Sequence, residues 1–249
     1  MAGRRLKSVE KIFELLTHLA EEGPSTPTVL AERMGLPTST VYDYLATLED
    51  IGYAVKSDGE YSISARMLYF GSKMREDSKF YEMGKPVAKS LSRELGEQAV
   101  LTVVEGPEVI YIYTHSNNDQ FSLSLHPGVT VPLHVCASGR AILAHLPEEA
   151  REAFIEEWIV DDPDETTTKA ELERELSTIH EQGYAITRYQ RGTESIAAPV
   201  RREGELVGTI SVGGPANRMS DESFRTRVID DVLDAANLIE INMMQYVEP

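Results

Sequence analysis

The strongest constraint on the fold is a change in hydrophobic periodicity within the first 63 residues. Apolar residues recur at helical spacing from Val9 to Ala20, with Ser8 as the candidate N-cap, and again from Val41 to Ile51. Between these segments, Thr26-Pro27 and Gly35 mark the start and the end of a short second helix. Because so few residues separate it from the third helix, the pattern predicts two helices joined by a tight turn.

Residues 53–63 change to an alternating pattern that is typical of a β-hairpin. Apolar residues flank the pair Asp58-Gly59, which is a strong signal for a two-residue turn. Three helices followed by a hairpin within about 60 residues predict a winged helix-turn-helix. Because the helix after the turn in this motif normally enters the DNA major groove, the amino-terminal part is interpreted as a DNA-binding domain.

The remainder of the chain mixes helical and strand-like segments. Helical spacing is present at 65–74 and 82–95, and the sequence becomes strand-like after Gly96. Further candidate strands lie at 99–104, 109–114, 121–125, 184–188, 195–201 and 206–212, and further helices at 138–158, at 168–182 and from Ser220-Asp221-Glu222 onward. This order predicts an α+β fold for the second part of the chain.

Composition excludes several classes of protein. Of 249 residues, 41% are apolar and 26% are charged, which is ordinary for a globular chain. No apolar run approaches the roughly 18 residues needed to span a bilayer, and the first residues form no signal-peptide core, so we expect a cytoplasmic protein with no membrane partner. Cys136 is the single cysteine, which excludes an internal disulfide and a zinc ribbon.

The negative charge is concentrated in one part of the chain. The formal net charge is −17, yet residues 1–89 hold 12 basic and 13 acidic side chains, whereas residues 90–249 hold 12 and 28. The amino-terminal part is therefore nearly neutral and compatible with DNA. The acidic excess, with 8 lysines among 24 basic residues, resembles proteins of salt-accumulating archaea, and we expect a halophilic protein.

Three stretches in this order resemble the IclR family of transcriptional regulators. The first is GLPTSTVYDYLATLEDIGYAV at 35–55, which is similar to the family's recognition-helix signature. The second is PLHVCASGRAILAHLP at 132–147, and the third is SIAAPVRREGELVGTISVGGPANRMS at 195–220. A helix-turn-helix pattern alone is weak evidence, but the two later motifs are distinctive and independent of it.

The resemblance implies a division into three parts. These are a winged helix-turn-helix DNA-binding domain at 1–63, a linker helix at 64–80 that mediates dimerisation, and a GAF-like α+β effector-binding domain at 81–249. It further implies a homodimer or tetramer that binds an inverted-repeat operator in double-stranded DNA under the control of a small-molecule effector.

Candidate DNA contacts lie on the third helix and at scattered cations. The outward helix positions are Thr38, Ser39, Thr40, Tyr42 and Thr47, and the cations available for phosphates are Arg4, Arg5, Lys7 and Lys56. The alternative for the hydroxyls is capping and solvation, and for the cations a solvated surface. The helix carries no Lys or Arg, and Asp43 would face the DNA unfavourably.

Candidate effector contacts come from the second and third motifs. His134, Cys136 and Ser138 surround the entry to a helix, where free N–H groups favour an anion, so we expect an organic anion as effector. The resemblance assigns Leu123, Ala137 and Ser138 to the pocket lining and Ser195 and Ser211 to effector contact. Arg188 or Arg191 could grip a carboxylate, although an exposed loop arginine is the ordinary alternative. His134 has the alternative of a structural role, and no metal or cofactor is predicted.

Two other classes of function remain open at this point. An enzyme is disfavoured because the chain has one thiol, no P-loop, no nucleophile elbow and no GxGxxG before a helix. A ligand-sensing or protein-interaction module that has lost DNA binding is supported by Asp43 and by the base-poor helix. DNA binding distinguishes this module from the regulator.

Overall fold

The computed structural model describes residues 5–117, 125–158, 168–189 and 192–246. The chain divides into two compact units, Met1–Met74 and Arg75–Pro249. Within the described ranges, no helix is both long enough and apolar enough to cross a membrane.

The first unit begins with three helices around one apolar core. They are α1 (Lys7–Glu22), α2 (Pro27–Met34) and α3 (Thr38–Asp50). Thr26 caps α2, because its hydroxyl accepts the Val29 N–H at 3.4 Å, and Gly35 ends the helix in the left-handed conformation at φ 61°. Both features of the second helix are thereby confirmed. The core of this unit consists mainly of Leu15, Leu16, Leu19, Leu30, Val41, Leu45, Leu48 and Tyr61.

The predicted apolar stripes are wrong at their ends. Ser8 lies inside α1, and Leu6 occupies the N-cap position without a side-chain hydrogen bond. The predicted stripe of α1 consists of Val9, Ile12, Phe13, Leu16, Leu19 and Ala20. Val9 and Phe13 are exposed, whereas Leu15, which is not in this stripe, is fully buried. Ile51 follows α3 and is also exposed. The most buried leucines decide which face of each helix points to the core. The predicted stripe extended beyond this face on one side.

The hairpin has the register that the turn signal predicts. Strand β1 (Ala54–Ser57) pairs antiparallel with β2 (Glu60–Ile63), with Ser57 opposite Glu60. Asp58 and Gly59 have φ of 52° and 88°, which is the left-handed pair that a tight two-residue turn requires. The winged helix-turn-helix is confirmed.

Two helices follow the wing. A single 3₁₀ turn at Ala65–Met67 leads into α4 (Leu68–Glu76), and α5 (Lys79–Leu95) begins after the N-cap Ser78. The stretch at 64–80 that we assign to a linker helix therefore contains the turn, all of α4 and the first residues of α5.

The second unit is built on an antiparallel sheet of six strands, which runs in the order β5-β4-β3-β8-β7-β6. The strands are β3 (Gln98–Glu105), β4 (Glu108–His115), β5 (Thr130–Pro132), β6 (Ala185–Tyr189), β7 (Thr193–Arg202) and β8 (Glu205–Pro215). Strand β5 was not predicted, and the candidate strand 121–125 lies outside the described residues except for Leu125, which is not in a strand.

Helices cover both faces of this sheet. They are α6 (Ala137–Leu143), α7 (Glu148–Trp158), α8 (Lys169–Gln182), α9 (Ala216–Met219) and α10 (Glu222–Gln245). One apolar core joins one sheet face to α5 and α10, and a second joins the other face to α6, α7 and α8. The α+β prediction is confirmed, as is the cap of α10, where Asp221 accepts the Phe224 N–H at 3.0 Å.

The predicted single helix at 138–158 is wrong, because it is two helices. Residues 144–147 separate α6 from α7, and Pro147 stands immediately before α7. Proline has no N–H to donate and fits the first turn of a helix rather than its interior. The break leaves α6 only seven residues long.

Candidate functional site

The recognition helix presents a polar face to the surface. Val41, Leu45 and Leu48 are buried, whereas the predicted contact positions are exposed or, for Thr40, half-buried. The exposed positions are Thr38, Ser39, Tyr42 and Thr47. Thr47 donates its hydroxyl to the Asp43 carbonyl at 2.7 Å, so this residue already serves the helix itself. With its hydroxyl proton used in this bond, Thr47 can only accept a hydrogen bond. Phosphate oxygens also accept, so the Thr47 hydroxyl does not bind a phosphate in this geometry.

The wing brings one cation to this helix. The Lys56 ammonium lies 5.7 Å from the centroid of the Tyr42 ring and 5.2 Å from that of Tyr61. These are cation–π distances, so Tyr42 orients the lysine beside the exposed face of α3. The sequence alone gave no sign that these two side chains meet.

The other predicted cations stand before the first helix or within it. Arg5 and Lys7 are exposed, and Arg4 lies outside the described residues. Arg33, which lies near the turn between α2 and α3, forms an ion pair with Glu22. The basic groups available next to α3 are therefore few, and the face is made mainly of hydroxyls.

A cavity of about 560 Å³ lies in the second unit, against the sheet face that α6 covers. Its apolar walls are formed by Val100, Tyr111, Leu125, Val131 and Val135. Its polar lining consists of Cys136, Ser138, Tyr189, Thr193, Ser195 and Ser211, with Gly213 completing the wall. This volume suits a small organic molecule.

Four of the predicted effector residues line this cavity together. They are Cys136, Ser138, Ser195 and Ser211. Ala137 is not in the lining, but its N–H donates to the hydroxyl of the lining residue Tyr189 at 3.3 Å. Leu123, like Arg191, lies outside the described residues.

The structure does not place His134 and Arg188 in the lining. His134 is buried with its ring 6.2 Å from that of Phe154, and its carbonyl accepts the Arg140 Nε–H at 2.8 Å. Arg188 is exposed, because strand alternation directs it away from the face of its neighbours Thr187 and Tyr189. We therefore correct the prediction that the side chain of His134 or Arg188 contacts an effector anion.

The start of α6 is fixed by close packing. Cys136 is the N-cap, and its Sγ accepts the Gly139 N–H at 3.4 Å. A Cβ at Gly139 would collide with the Leu133 carbonyl, so only glycine allows this approach. Arg140 binds both carboxylate oxygens of Glu175, at 2.8 and 3.0 Å, which anchors α6 to α8.

Sequence reasoning missed the two tyrosines of the cavity. The Tyr189 hydroxyl is 2.9 Å from Ser195 Oγ, and Tyr111 reaches the cavity from β4. Alternation along 185–189 could have found Tyr189, because it shares a face with Thr187 and pairs with Thr193. Nothing in the sequence places Tyr111 opposite them.

The cavity is electrically neutral near pH 7. Among the described lining residues there is no Asp, Glu, Lys, Arg or His. Burial raises the pKa of the Cys136 thiol to about 11 and that of the Tyr189 hydroxyl to about 12. Burial also raises the pKa of Tyr111. Among these described residues a ligand therefore meets hydroxyls and a thiol, but no formal charge.

No metal centre was found in the part of the chain that the structure describes. No group of three or more His, Cys, Asp or Glu residues there could hold an ion.

Comparisons with known proteins cover nearly the whole chain. A family model described as "Bacterial transcriptional regulator IclR C-terminal" matches residues 76–241, and another described as "IclR helix-turn-helix domain" matches residues 8–58. The "Probable HTH-type transcriptional regulator ArcR" of Halobacterium salinarum is 28% identical, over 96% of this chain and 95% of that protein. The "Transcriptional repressor IclR" of Escherichia coli is 26% identical, over 88% of this chain and 83% of that protein.

Solved structures show the same fold. The IclR structure from Thermotoga maritima has a TM-score of 0.79 at 23% identity, covering 96% of this chain and 99% of that one. An IclR homologue from Microbacterium hydrocarbonoxydans, solved in complex with 4-hydroxybenzoate, has a TM-score of 0.79 at 21% identity, covering 96% and 98%.

Proposed function

Because the chain belongs to the IclR family of DNA-binding transcriptional regulators, we propose that α3 and the wing bind operator DNA and that an organic acid in the cavity controls this binding. The observation that carries the proposal is the combination, in one chain, of an exposed hydroxyl-rich recognition face and a cavity whose described lining joins apolar walls to neutral polar groups. Family members are regulators rather than enzymes, and the residues of both sites are our assignment.

The DNA-binding surface acts through hydroxyls and one wing cation. Thr38, Ser39 and Tyr42 reach phosphates or base edges, and Lys56 neutralises a phosphate next to Tyr42. Arg4, Arg5 and Lys7 supply further charge at the chain's beginning. Few cations mean a shallow dependence of affinity on salt, because little counterion release drives the binding.

We infer that a second copy of the chain binds to exposed apolar side chains of the first unit. Leu6, Val9 and Phe13 on or next to α1 are exposed, as are Leu68, Tyr69, Phe70 and Met74 on α4. Exposed apolar side chains in this number mark an interaction surface. A homodimer formed there presents two α3 helices to half-sites of an inverted repeat about 10 bp or a multiple of it apart.

The effector is a small organic acid with an apolar body. The apolar walls fit the body, and amide N–H and hydroxyl donors fit the carboxylate without a formal counter-charge. The Microbacterium relative holds an aromatic acid of this class. To regulate, the acid must bind one arrangement of the protein better than another, and a difference of about 1–3 kcal/mol gives about 5–150-fold control.

Footprinting of the region upstream of the protein's own gene tests this proposal. The footprint is recorded at about 0.1 M and at about 1 M salt. Between these two concentrations the Debye length falls from about 10 to about 3 Å. We expect protection of an inverted repeat at both salt levels, and its loss or gain when a pool of organic acids that includes 4-hydroxybenzoate is added.

The alternative module that has lost DNA binding predicts the opposite outcome. Asp43 and the absence of any Lys or Arg on α3 are the observations in its favour. No protection at either salt level, together with binding of an acid from the pool, would support that module and contradict the regulator.

A further inference from the structure

The Tyr189 side chain lines the cavity and is hydrogen-bonded to two other parts of the protein. Tyr189 is the last residue of β6, and its hydroxyl accepts the Ala137 N–H at 3.3 Å and lies 2.9 Å from Ser195 Oγ. One phenol oxygen thereby joins the first residue of α6 to strand β7. Because Ser195 also lines the cavity, this bridge lies where a ligand would find its best hydrogen-bonding groups.

A second hydroxyl, on the neighbour of Ser195 in the next strand, is unused, although Thr187 is not in the cavity lining. Thr187 lies directly opposite Ser195 in the β6–β7 ladder, and paired residues project to the same face. Thr187 is 7% exposed, and its Oγ1 has no hydrogen-bond partner among the described residues. A buried hydroxyl without a partner costs free energy, so a bound molecule that supplies an acceptor there would be stabilised.

The three groups share one chemical property, since each can donate to a ligand oxygen. The Ala137 amide can only donate, and the hydroxyls of Ser195 and Thr187 donate or accept. A carboxylate offers two oxygens that only accept, so it can take the bond that the Tyr189 oxygen receives from Ala137 and can also accept from Ser195 and Thr187. A head group that only donates cannot replace Tyr189 at Ala137.

We propose that Tyr189 determines the specificity of the cavity by holding the hydrogen-bonding groups that the effector's carboxylate would use, so that only a ligand with an acceptor head displaces it. The inference rests on the proposed function, because it concerns the same cavity. Strand β6 is at the edge of the sheet and pairs with β7 alone, so displacement of Tyr189 breaks no ladder with a second strand.

Two consequences follow for binding. A ligand without an acceptor head occupies the apolar part and leaves the Tyr189 bridge intact. A carboxylate competes with the bridge, and its affinity is reduced by the free energy of the hydrogen bonds that Tyr189 gives up.

The test compares benzoate with toluene, which has the same ring and no acceptor. Dissociation constants are measured by NMR titration for the natural chain, Tyr189→Phe and Thr187→Val. The matched control is Tyr113→Phe, because Tyr113 packs edge-to-face on Tyr81 on the other face of the sheet. We expect Tyr189→Phe to tighten benzoate binding about threefold to tenfold, the equivalent of one hydrogen bond, with toluene unchanged. Thr187→Val weakens benzoate by about the same factor, and Tyr113→Phe changes neither ligand.

A readout without ligand tests the bridge directly. In Tyr189→Phe the Ala137 amide loses its acceptor, so its proton resonance moves upfield and its exchange with solvent becomes faster. Both quantities stay unchanged in Tyr113→Phe.

Three results would overturn the proposal. They are benzoate affinity that is unchanged or weaker in Tyr189→Phe, an unchanged Ala137 amide in that variant, and no benzoate binding by any variant. The proposed function is judged separately by the footprint and its response to the acid pool, and it stands if another acid changes the footprint. Failure of the two is therefore distinguishable.

Discussion

Cys136 illustrates how one side chain can hold a position in a site without being reactive. Its thiol caps α6 and lines the cavity, and burial raises its pKa to about 11. A raised pKa keeps the thiol protonated at neutral pH, and the thiolate forms only as the pH approaches that value.

We therefore predict slow alkylation of Cys136. At pH 8 the rate with iodoacetamide should be at least about tenfold below that of an ordinary thiol, whose pKa is about 8.5, and it should rise steadily up to pH 10. The same chain unfolded in guanidinium is the control and should react at the ordinary rate. A rate profile of the folded protein that levels off near pH 9 would contradict the assignment.

Gly139 is the second position where a single residue decides the site. In an exposed helix, replacing glycine by alanine stabilises by roughly 0.5–1 kcal/mol. At Gly139 the added Cβ would meet the Leu133 backbone, so Gly139→Ala should instead lower the free energy of unfolding by about 1–3 kcal/mol.

Calorimetric unfolding measures this effect. The matched control is Gly71→Ala, because Gly71 lies in α4 with no atom near the position of its added Cβ. The control should raise the transition temperature. Equal stabilisation by both substitutions would show that α6 does not approach Leu133 as closely as described.

At the scale of single elements, the accuracy of prediction followed the physical origin of each signal. Most local signals succeeded, since the Asp58-Gly59 turn and the helix starts at Thr26 and Asp221 depend on neighbouring residues alone, whereas the predicted Ser8 cap was wrong. Pro147 is also a local signal that predicts a helix break within 138–158. It was overlooked because apolar residues keep helical spacing on both sides of it.

Contacts between distant segments could not be predicted in the same way. Four lining residues were found because two motifs carry them, whereas the meeting of Tyr189 with Ala137 depends on strand order and register. The approach of Lys56 to Tyr42 is likewise a product of packing between the wing and α3. Sequence patterns give the faces of elements, and the fold decides which faces meet.

The wing makes a prediction that belongs to this scale. If Lys56 neutralises one phosphate, Lys56→Ala should weaken operator binding uniformly across related sequences and reduce the slope of log affinity against log salt by about 1. The control is Lys169→Ala, which removes a cation that lies within 4.0 Å of Glu156 and Glu173 in the other unit. An unchanged slope in Lys56→Ala would contradict the phosphate contact.

At the scale of the whole molecule, the acidic excess and the proposed DNA-binding surface lie in different parts of the chain. Nearly all of the acidic excess lies after residue 89, and the unit with the recognition helix is nearly neutral. At molar salt, repulsion between the acidic part and DNA is screened within about 3 Å. If α3 binds through its hydroxyls and two copies dock as we propose, these contacts then supply more of the affinity than counterion release does.

Regulation is also a property of the whole molecule, because effector and operator bind to different units. Thermodynamic linkage requires that the effector change operator affinity by the same factor by which the operator changes effector affinity. A substitution that fills the cavity should therefore remove the response and leave the affinity for DNA itself in place.

The most direct test is the operator affinity, measured by fluorescence anisotropy with and without the organic-acid pool, for the natural chain and for Ser211→Phe. Ser211 lines the cavity from β8, so the larger ring fills space that the effector needs. The account predicts a change of about 5–150-fold for the natural chain and no change for Ser211→Phe, with equal affinities in the absence of the pool. An equal response in both proteins, or none in the natural chain, would contradict it.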